Sequence, residues 1–176
     1  MLETAGRLRR AHPELQVAVS HSPTIASERL MPLLAAAPWA TPVRDDYYPL
    51  LRFATAGIVA SGTATLEAAC SNLPFALVYR VSPLSFAIGK RVVRIPHIGL
   101  VNIVAGAEVV PEFLQDEVQP EKLAPAMEPL LFDPQIRRCM QDKLTGVRQS
   151  LGEPGASTRT AALILKQLDL HQLETI

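Results

Sequence analysis

Residues 56–80 read AGIVASGTATLEAACSNLPFALVYR, and this stretch decides the fold. Gly57 to Ala60 is a short run of small and β-branched apolar residues, long enough for a buried strand but not for a helix. Ser61-Gly62-Thr63 follows, then a helical stretch from Thr63 to Ser71, then a second apolar run from Phe75 to Tyr79. Strands that are apolar on both faces belong to parallel sheets covered by helices on both sides. The same alternation extends in both directions. Leu2 to Ala11 reads as a helix with Leu2, Ala5 and Leu8 on one face, Leu15 to Ser20 as a strand, Ile25 to Ala37 and Tyr47 to Ala54 as helices. Leu84 to Val93 reads as a helix and Ile98 to Val101 as a short strand. The fold class is α/β, three-layered, with a parallel sheet and right-handed crossovers.

After Pro111 the pattern becomes helical. Pro120 to Phe132, Pro134 to Leu151 and Pro154 to Leu170 each open with a proline near the first turn, where its missing N–H costs nothing. Proline punctuates the whole chain, 15 in 176 residues, and this cuts it into short elements. The tail from Asp169 is expected to fray. The length suits one domain with a full-sized core. With 48% hydrophobic and 19% charged residues the chain is globular. Seventeen basic residues balance 17 acidic ones. A whole-chain nucleic-acid binder would be strongly basic, so no nucleic-acid partner is expected. No apolar run is long enough for a membrane-spanning helix. Met1 to Pro13 carries Arg7, Arg9 and Arg10 without the apolar stretch and cleavage site of a signal peptide. Cys70 and Cys139 are too isolated for a disulfide framework or a zinc site and read as reduced thiols.

The chemistry concentrates after the first of the two apolar runs. That strand delivers the chain to the carboxyl edge of the sheet, and Gly62 lets the backbone turn there and lets a ligand approach closely. Ser61 and Thr63 are suitable helix caps. Free N–H groups and the helix dipole make such a start an anion site. Glu67, one turn in, shares a face with Thr63. A carboxylate repels phosphate but accepts two hydroxyl hydrogen bonds, as a ribose diol offers. The stretch therefore suits a phosphate at Gly62 and Thr63 with a ribose at Glu67. It equally suits an ordinary capped helix in which Glu67 compensates the dipole. No GxGxxG, Walker, HExxH, CxxC or GxSxG sequence occurs.

Charge is uneven. Between Glu67 and Glu108 there is no acid, while Arg80, Lys90, Arg91 and Arg94 give +4; this suits an anionic surface or plain solvation. From Glu108 to Asp133 seven acids face Lys122 alone. His97 and His21 lack a visible partner and read as loop or packing histidines before they read as bases. Tyr47 and Tyr48 read as packing at a helix start, Trp39 as a loop anchor and Asp45 or Asp46 as an N-cap.

Several motifs in order carry a resemblance. Ala60 to Glu67 (ASGTATLE), Leu73-Pro74, Val78 to Arg80, Val101 to Gly106 (VNIVAG), Pro111 to Gln115 (PEFLQ) and Leu151 to Ser157 (LGEPGAS) look like those of lipid-A-disaccharide synthases. The match in order and spacing covers nearly the whole chain. The Asn102 to Gly106 and Gly152 to Ser157 motifs are specific to that family among sugar transferases. Ser61 to Glu67 is shared more widely among glycosyltransferases of the two-Rossmann (GT-B) type.

The resemblance implies a Rossmann-like, donor-binding C-terminal domain. It implies a bacterial enzyme that works peripherally at the inner face of the inner membrane. The reaction implied is inverting transfer of 2,3-diacylglucosamine from UDP-diacylglucosamine to lipid X, without metal or cofactor. By carry-over, Ser61, Gly62 and Thr63 face the UDP phosphates, Glu67 the ribose, Asn102 the donor side of the cleft, and Glu112 and Gln115 the donor sugar. Lys90, Arg91 and Arg94 become candidates for contact with anionic lipid. Residues 1–151 would form a partial nucleotide-binding domain lacking its first strand and glycine-rich loop, and 152–176 a helix packing toward an absent N-terminal domain. The family's essential aspartate lies in that domain, so no catalytic residue is expected here. A missing central strand would expose strand edges, and the partner is then a separate N-terminal half or a second copy. Two alternatives stand beside this reading: the donor half of another UDP-sugar transferase or epimerase, and a non-catalytic assembly module.

Overall fold

The computed structural model describes residues 1–82, 86 and 96–173. Its strands are β1 (Val17–Ser20), β2 (Ala40–Val43), β3 (Gly57–Ala60), β4 (Phe75–Tyr79) and β5 (Glu112–Leu114). Its helices are α1 (Leu2–Ala11), α2 (Ser27–Ala35), α3 (Tyr47–Phe53), α4 (Thr63–Cys70), α5 (Leu100–Ala105), α6 (Pro120–Phe132), α7 (Pro134–Ser150) and α8 (Ala156–Leu173). All strand pairing is parallel, and helices link successive strands, as parallel pairing requires. The α/β class with helices on both faces is therefore present.

The central strand is β4. Phe75 and Leu77 point to one face and join Leu51 of α3, Ala68 and Ala69 of α4, Val101 of α5, and Leu144 and Val147 of α7. Ala76 and Val78 point to the other and join Leu8 of α1 with Leu123, Ala124, Met127 and Leu130 of α6. Each of these four β4 side chains is buried, and full burial of an aliphatic side chain contributes about 1.5–3 kcal/mol. A third, smaller cluster holds Leu34, Ala37 and Ala40 with Leu2, Val17, Val19, Leu30 and Trp39 around it.

The parallel strands fall into two groups. β1 and β2 form one pair, and β3-β4-β5 form a second sheet of their own. In β1 and β2, Val17 lies opposite Ala40 and Ser20 opposite Val43. In the second sheet Gly57 lies opposite Phe75, and Leu77 opposite Glu112.

Two strands escape a reading by composition. β2 contains Pro42, which a strand tolerates at a sheet edge. β5 is three residues long and carries Glu112. The expected strand from Ile98 to Val101 is corrected: Leu100–Ala105 is helix α5, closed by Gly106 in the left-handed region at φ 65°. Its β-branched residues suggested a strand, but the buried Asn102 and the Gly106 cap decide otherwise. The expected helix from Leu84 to Val93 lies outside the described residues except at Phe86, whose N–H donates to the Ser82 carbonyl at 3.0 Å. The helices opened by Pro120 and Pro134 are present, whereas the third starts at Ala156, two residues beyond Pro154, and is not opened by a proline.

Candidate functional site

Ser61–Thr63 follow the carboxyl end of β3 and Gln115 that of β5, whereas Glu112 opens β5 and Asn102 lies on α5. At the end of β3 the Ser61 N–H donates to the Val78 carbonyl (2.9 Å), tying the turn to β4. Gly62 then takes φ 143° and ψ −164°, a region essentially reserved for glycine, and starts α4. The expected caps Ser61 and Thr63 do not act as such. Gly62 is the N-cap, and no side chain caps the helix. The first turn is held by Thr65 instead, whose hydroxyl donates to the Gly62 carbonyl at 2.8 Å. Among the described residues no side chain caps it, and the amino end of α4 keeps its partial positive charge for a ligand. An added Cβ at Gly62 meets nothing within 4 Å, so the turn is open as well as strained.

Glu67, half-buried one turn along α4, accepts a hydrogen bond from the Tyr47 hydroxyl at 2.9 Å. Burial first, then the bond to Glu67 and its negative charge, push the Tyr47 phenol up to about 12. Tyr47 is thus a fixed donor that orients one carboxylate oxygen and leaves the other for a further donor. Reading Tyr47 as packing missed this role. The only sequence signal was a tyrosine near a helix start, twenty residues from Glu67.

Asn102 and Glu112 are directly bonded, and Gln115, three residues further along, holds a separate segment. Asn102 is fully buried. Its Nδ2 donates to the Val110 carbonyl and to Glu112 Oε1, both at 2.8 Å. Its Oδ1 accepts from the N–H groups of Val109 and Val110 at 2.8 and 3.1 Å. Glu112 accepts from the N–H groups of Ile98 (2.9 Å) and Gly99 (3.0 Å). A Cβ at Gly99 would overlap Leu77 Cδ1 and press on Glu112 Oε1 at 3.1 Å, which explains the glycine. Gln115 grips Val81, accepting from its N–H at 2.8 Å and donating to its carbonyl at 3.0 Å. It does so with a positive φ of 48°, uncommon for a residue with a side chain. Gln115 therefore binds the backbone at Val81, and Glu112, itself held by Asn102, binds it at Ile98–Gly99, the two ends of the basic stretch. Lys90, Arg91 and Arg94 lie outside the described residues.

The remaining candidates fall elsewhere. His21 is buried, with Nε2 2.7 Å from the Ile25 carbonyl, a loop-packing role. Asp46 occupies the N-cap of α3 without a side-chain capping bond. Trp39 packs against the small cluster, with the Arg9 guanidinium 5.5 Å from its ring. Cys70 and Cys139 are exposed free thiols. Two surface recesses, one between α1 and α6 and one between α5 and α7, lie away from Gly62 and Glu67. Among the described residues no helix is long and apolar enough to cross a membrane.

Parallel strands wound by helices on both faces, with a glycine turn opening a helix at the strand ends, define a Rossmann-like α/β domain. The family model described as lipid-A-disaccharide synthetase matches residues 1–166. The chain belongs to that family. It is 37% identical to lipid-A-disaccharide synthase of Geobacter sulfurreducens over 169 residues, covering 96% of this chain and 44% of that protein. It is 39% identical to the synthase of Syntrophotalea carbinolica, covering 93% and 42%. With the synthase of Anaeromyxobacter dehalogenans the identity is 42%, covering 94% and 44%. The chain thus spans less than half the length of the curated relatives it matches.

Proposed function

We propose that this chain is the UDP-sugar-binding half of a lipid-A-disaccharide synthase. The complete enzyme would transfer 2,3-diacylglucosamine from UDP to lipid X with inversion, releasing UDP and lipid A disaccharide phosphate. One observation carries the reading: the uncapped, glycine-strained start of α4 stands one turn from a Glu67 carboxylate already oriented by Tyr47. The amino end of α4 suits a diphosphate. The free lone pairs of Glu67 suit the ribose hydroxyls.

The chemistry follows from charge. As the acceptor hydroxyl attacks the anomeric carbon, negative charge grows on the departing diphosphate. Backbone N–H groups of Gly62 and Thr63 and the α4 dipole stabilise that charge without reorganising. Proton removal from the acceptor falls to the rest of the enzyme. Gln115 and Glu112 serve the donor sugar by holding Val81 and Ile98–Gly99, and Asn102 serves it by holding Glu112. Residues 1–151 form the nucleotide domain. Residues 152–176 dock on the remainder of the enzyme, consistent with the exposure of Leu163, Ile164, Leu165 and Leu168. Lys90, Arg91 and Arg94 face an anionic bilayer at the cytoplasmic side of the inner membrane. Alanines at all three should weaken binding to anionic vesicles and spare neutral ones.

Calorimetric titration of UDP into the folded chain tests the site. Binding tighter than about 1 mM, lost in Glu67→Ala, supports the reading. Binding that persists unchanged in that variant overturns the assignment of Glu67.

A further inference from the structure

The Glu67 carboxylate is steadied from two helices. On α4, Glu67 stands beside Ala68 and Ala69, both buried in the cluster on one face of β4. On α3, Leu51 is buried in that same cluster, and Tyr47 and Ala54 pack against it. The Tyr47 hydroxyl then reaches Glu67 Oε2 at 2.9 Å. Both partners thus stand on helices anchored in one core, and the bond between them joins α3 to α4.

The polarity of the pair follows from its chemistry. With its pKa pushed up to about 12, the phenol stays protonated, and its single O–H is spent on the carboxylate. The phenol oxygen is left with lone pairs, and so is Glu67 Oε1. Among the described residues Glu67 forms no ion pair. The pair therefore offers two acceptors on adjacent groups, with neither a donor nor a cation. An anion is repelled there, and a ligand that only accepts hydrogen bonds finds nothing to accept. Two hydroxyls on neighbouring carbons satisfy both acceptors at once, one of them through a charge-assisted bond.

We propose that Tyr47 is a specificity-determining residue: with Glu67 it forms a two-acceptor clamp for a vicinal diol, so that the site selects ribonucleotides over nucleotides lacking those hydroxyls. This role rests on Glu67 taking the ribose, and goes further by giving the second hydroxyl a receiver on a different helix. Tyr47→Phe removes that receiver and also releases Glu67 from its fixed orientation. A site built to bond hydroxyls rejects the analogue without them, because its polar groups are then left unpaired. Losing one member of the clamp removes that discrimination and spares the contacts to the rest of the nucleotide.

The test is an NMR titration of the whole 176-residue chain with UDP and with 2′,3′-dideoxy-UDP. The unaltered chain should bind UDP at least about tenfold tighter than the dideoxy nucleotide. Tyr47→Phe should bind the dideoxy nucleotide as the unaltered chain does, which also shows that the variant is folded, and should prefer UDP by less than about threefold. Glu67→Ala should bind UDP no better than the dideoxy nucleotide, and adding Tyr47→Phe to it should change nothing further. A preference that survives Tyr47→Phe but not Glu67→Ala overturns the role of Tyr47 and leaves the ribose at Glu67. An equal fall in affinity for both nucleotides in Tyr47→Phe shows a purely structural residue and also overturns it. A preference untouched by Glu67→Ala, or no preference for UDP in the unaltered chain, overturns the ribose at Glu67 and the role of Tyr47 together.

Discussion

At the scale of single residues, Tyr47 and Glu67 are the informative pair. A phenol at about 12 in the folded chain ionises after one at the ordinary 10 in the unfolded chain. The contribution to stability is full below about pH 10 and declines as pH rises toward 12. Tyr47→Phe should therefore lack that part of the alkaline decline. In an absorbance titration of the three tyrosines the late-ionising component should vanish in Tyr47→Phe and move earlier in Glu67→Gln. The Asn102 network makes a second prediction. Asn102→Ala leaves the Val109 N–H and the buried Val110 N–H and C=O unpaired and should cost about 2–4 kcal/mol in urea unfolding. Gly99→Ala should cost about 1–3 kcal/mol by the overlap with Leu77. Sequence pattern picks out Asn102 and Glu112 as residues of interest. It does not reveal that they bind each other, because ten residues and a left-handed glycine separate them.

At the scale of elements, local rules act where they are strongest. Asp133 caps α7 by accepting from the N–H groups of Gln135 (2.8 Å) and Ile136 (3.2 Å), directly before Pro134. Asp133→Ala should lower stability by about 1 kcal/mol in the same unfolding measurement. The helices opened by Pro120 and Pro134 were legible for this reason. α5 was not. A six-residue helix rich in Ile and Val has little propensity to defend it and exists because Val101 and Asn102 are buried at its core side. Strand β2 was missed because its pairing with β1, not its composition, makes it a strand.

At the scale of the whole molecule, the described residues form a core around β4 with two loosely attached margins. One is the β1–β2 pair, held by α1 and α2. The other is α8, whose residues through Leu168 are exposed, among them Leu163 at 68% and Leu165 at 61%. A helix that buries none of its apolar residues contributes little to folding. Removal of residues 152–176 should change the unfolding free energy in urea by less than about 0.5 kcal/mol and reduce self-association in analytical ultracentrifugation. A marked loss of stability would show that α8 packs on this chain.

The sequence alone determined the α/β class, the parallel character of the sheet, β3 and β4, the two proline-opened helices α6 and α7, and the placement of Gly62 beside Glu67. Those features are local: apolar runs, proline and glycine positions, and one helical turn of spacing carry them. Only the tertiary structure decided that the strands divide into two sheets, that Glu67 is oriented by Tyr47, that Gln115 clasps the backbone at Val81, and that Glu112, held by Asn102, clasps it at Ile98–Gly99. Each of these joins residues brought together by packing across elements. A hydrogen bond between distant residues leaves no periodic trace in the chain that forms it.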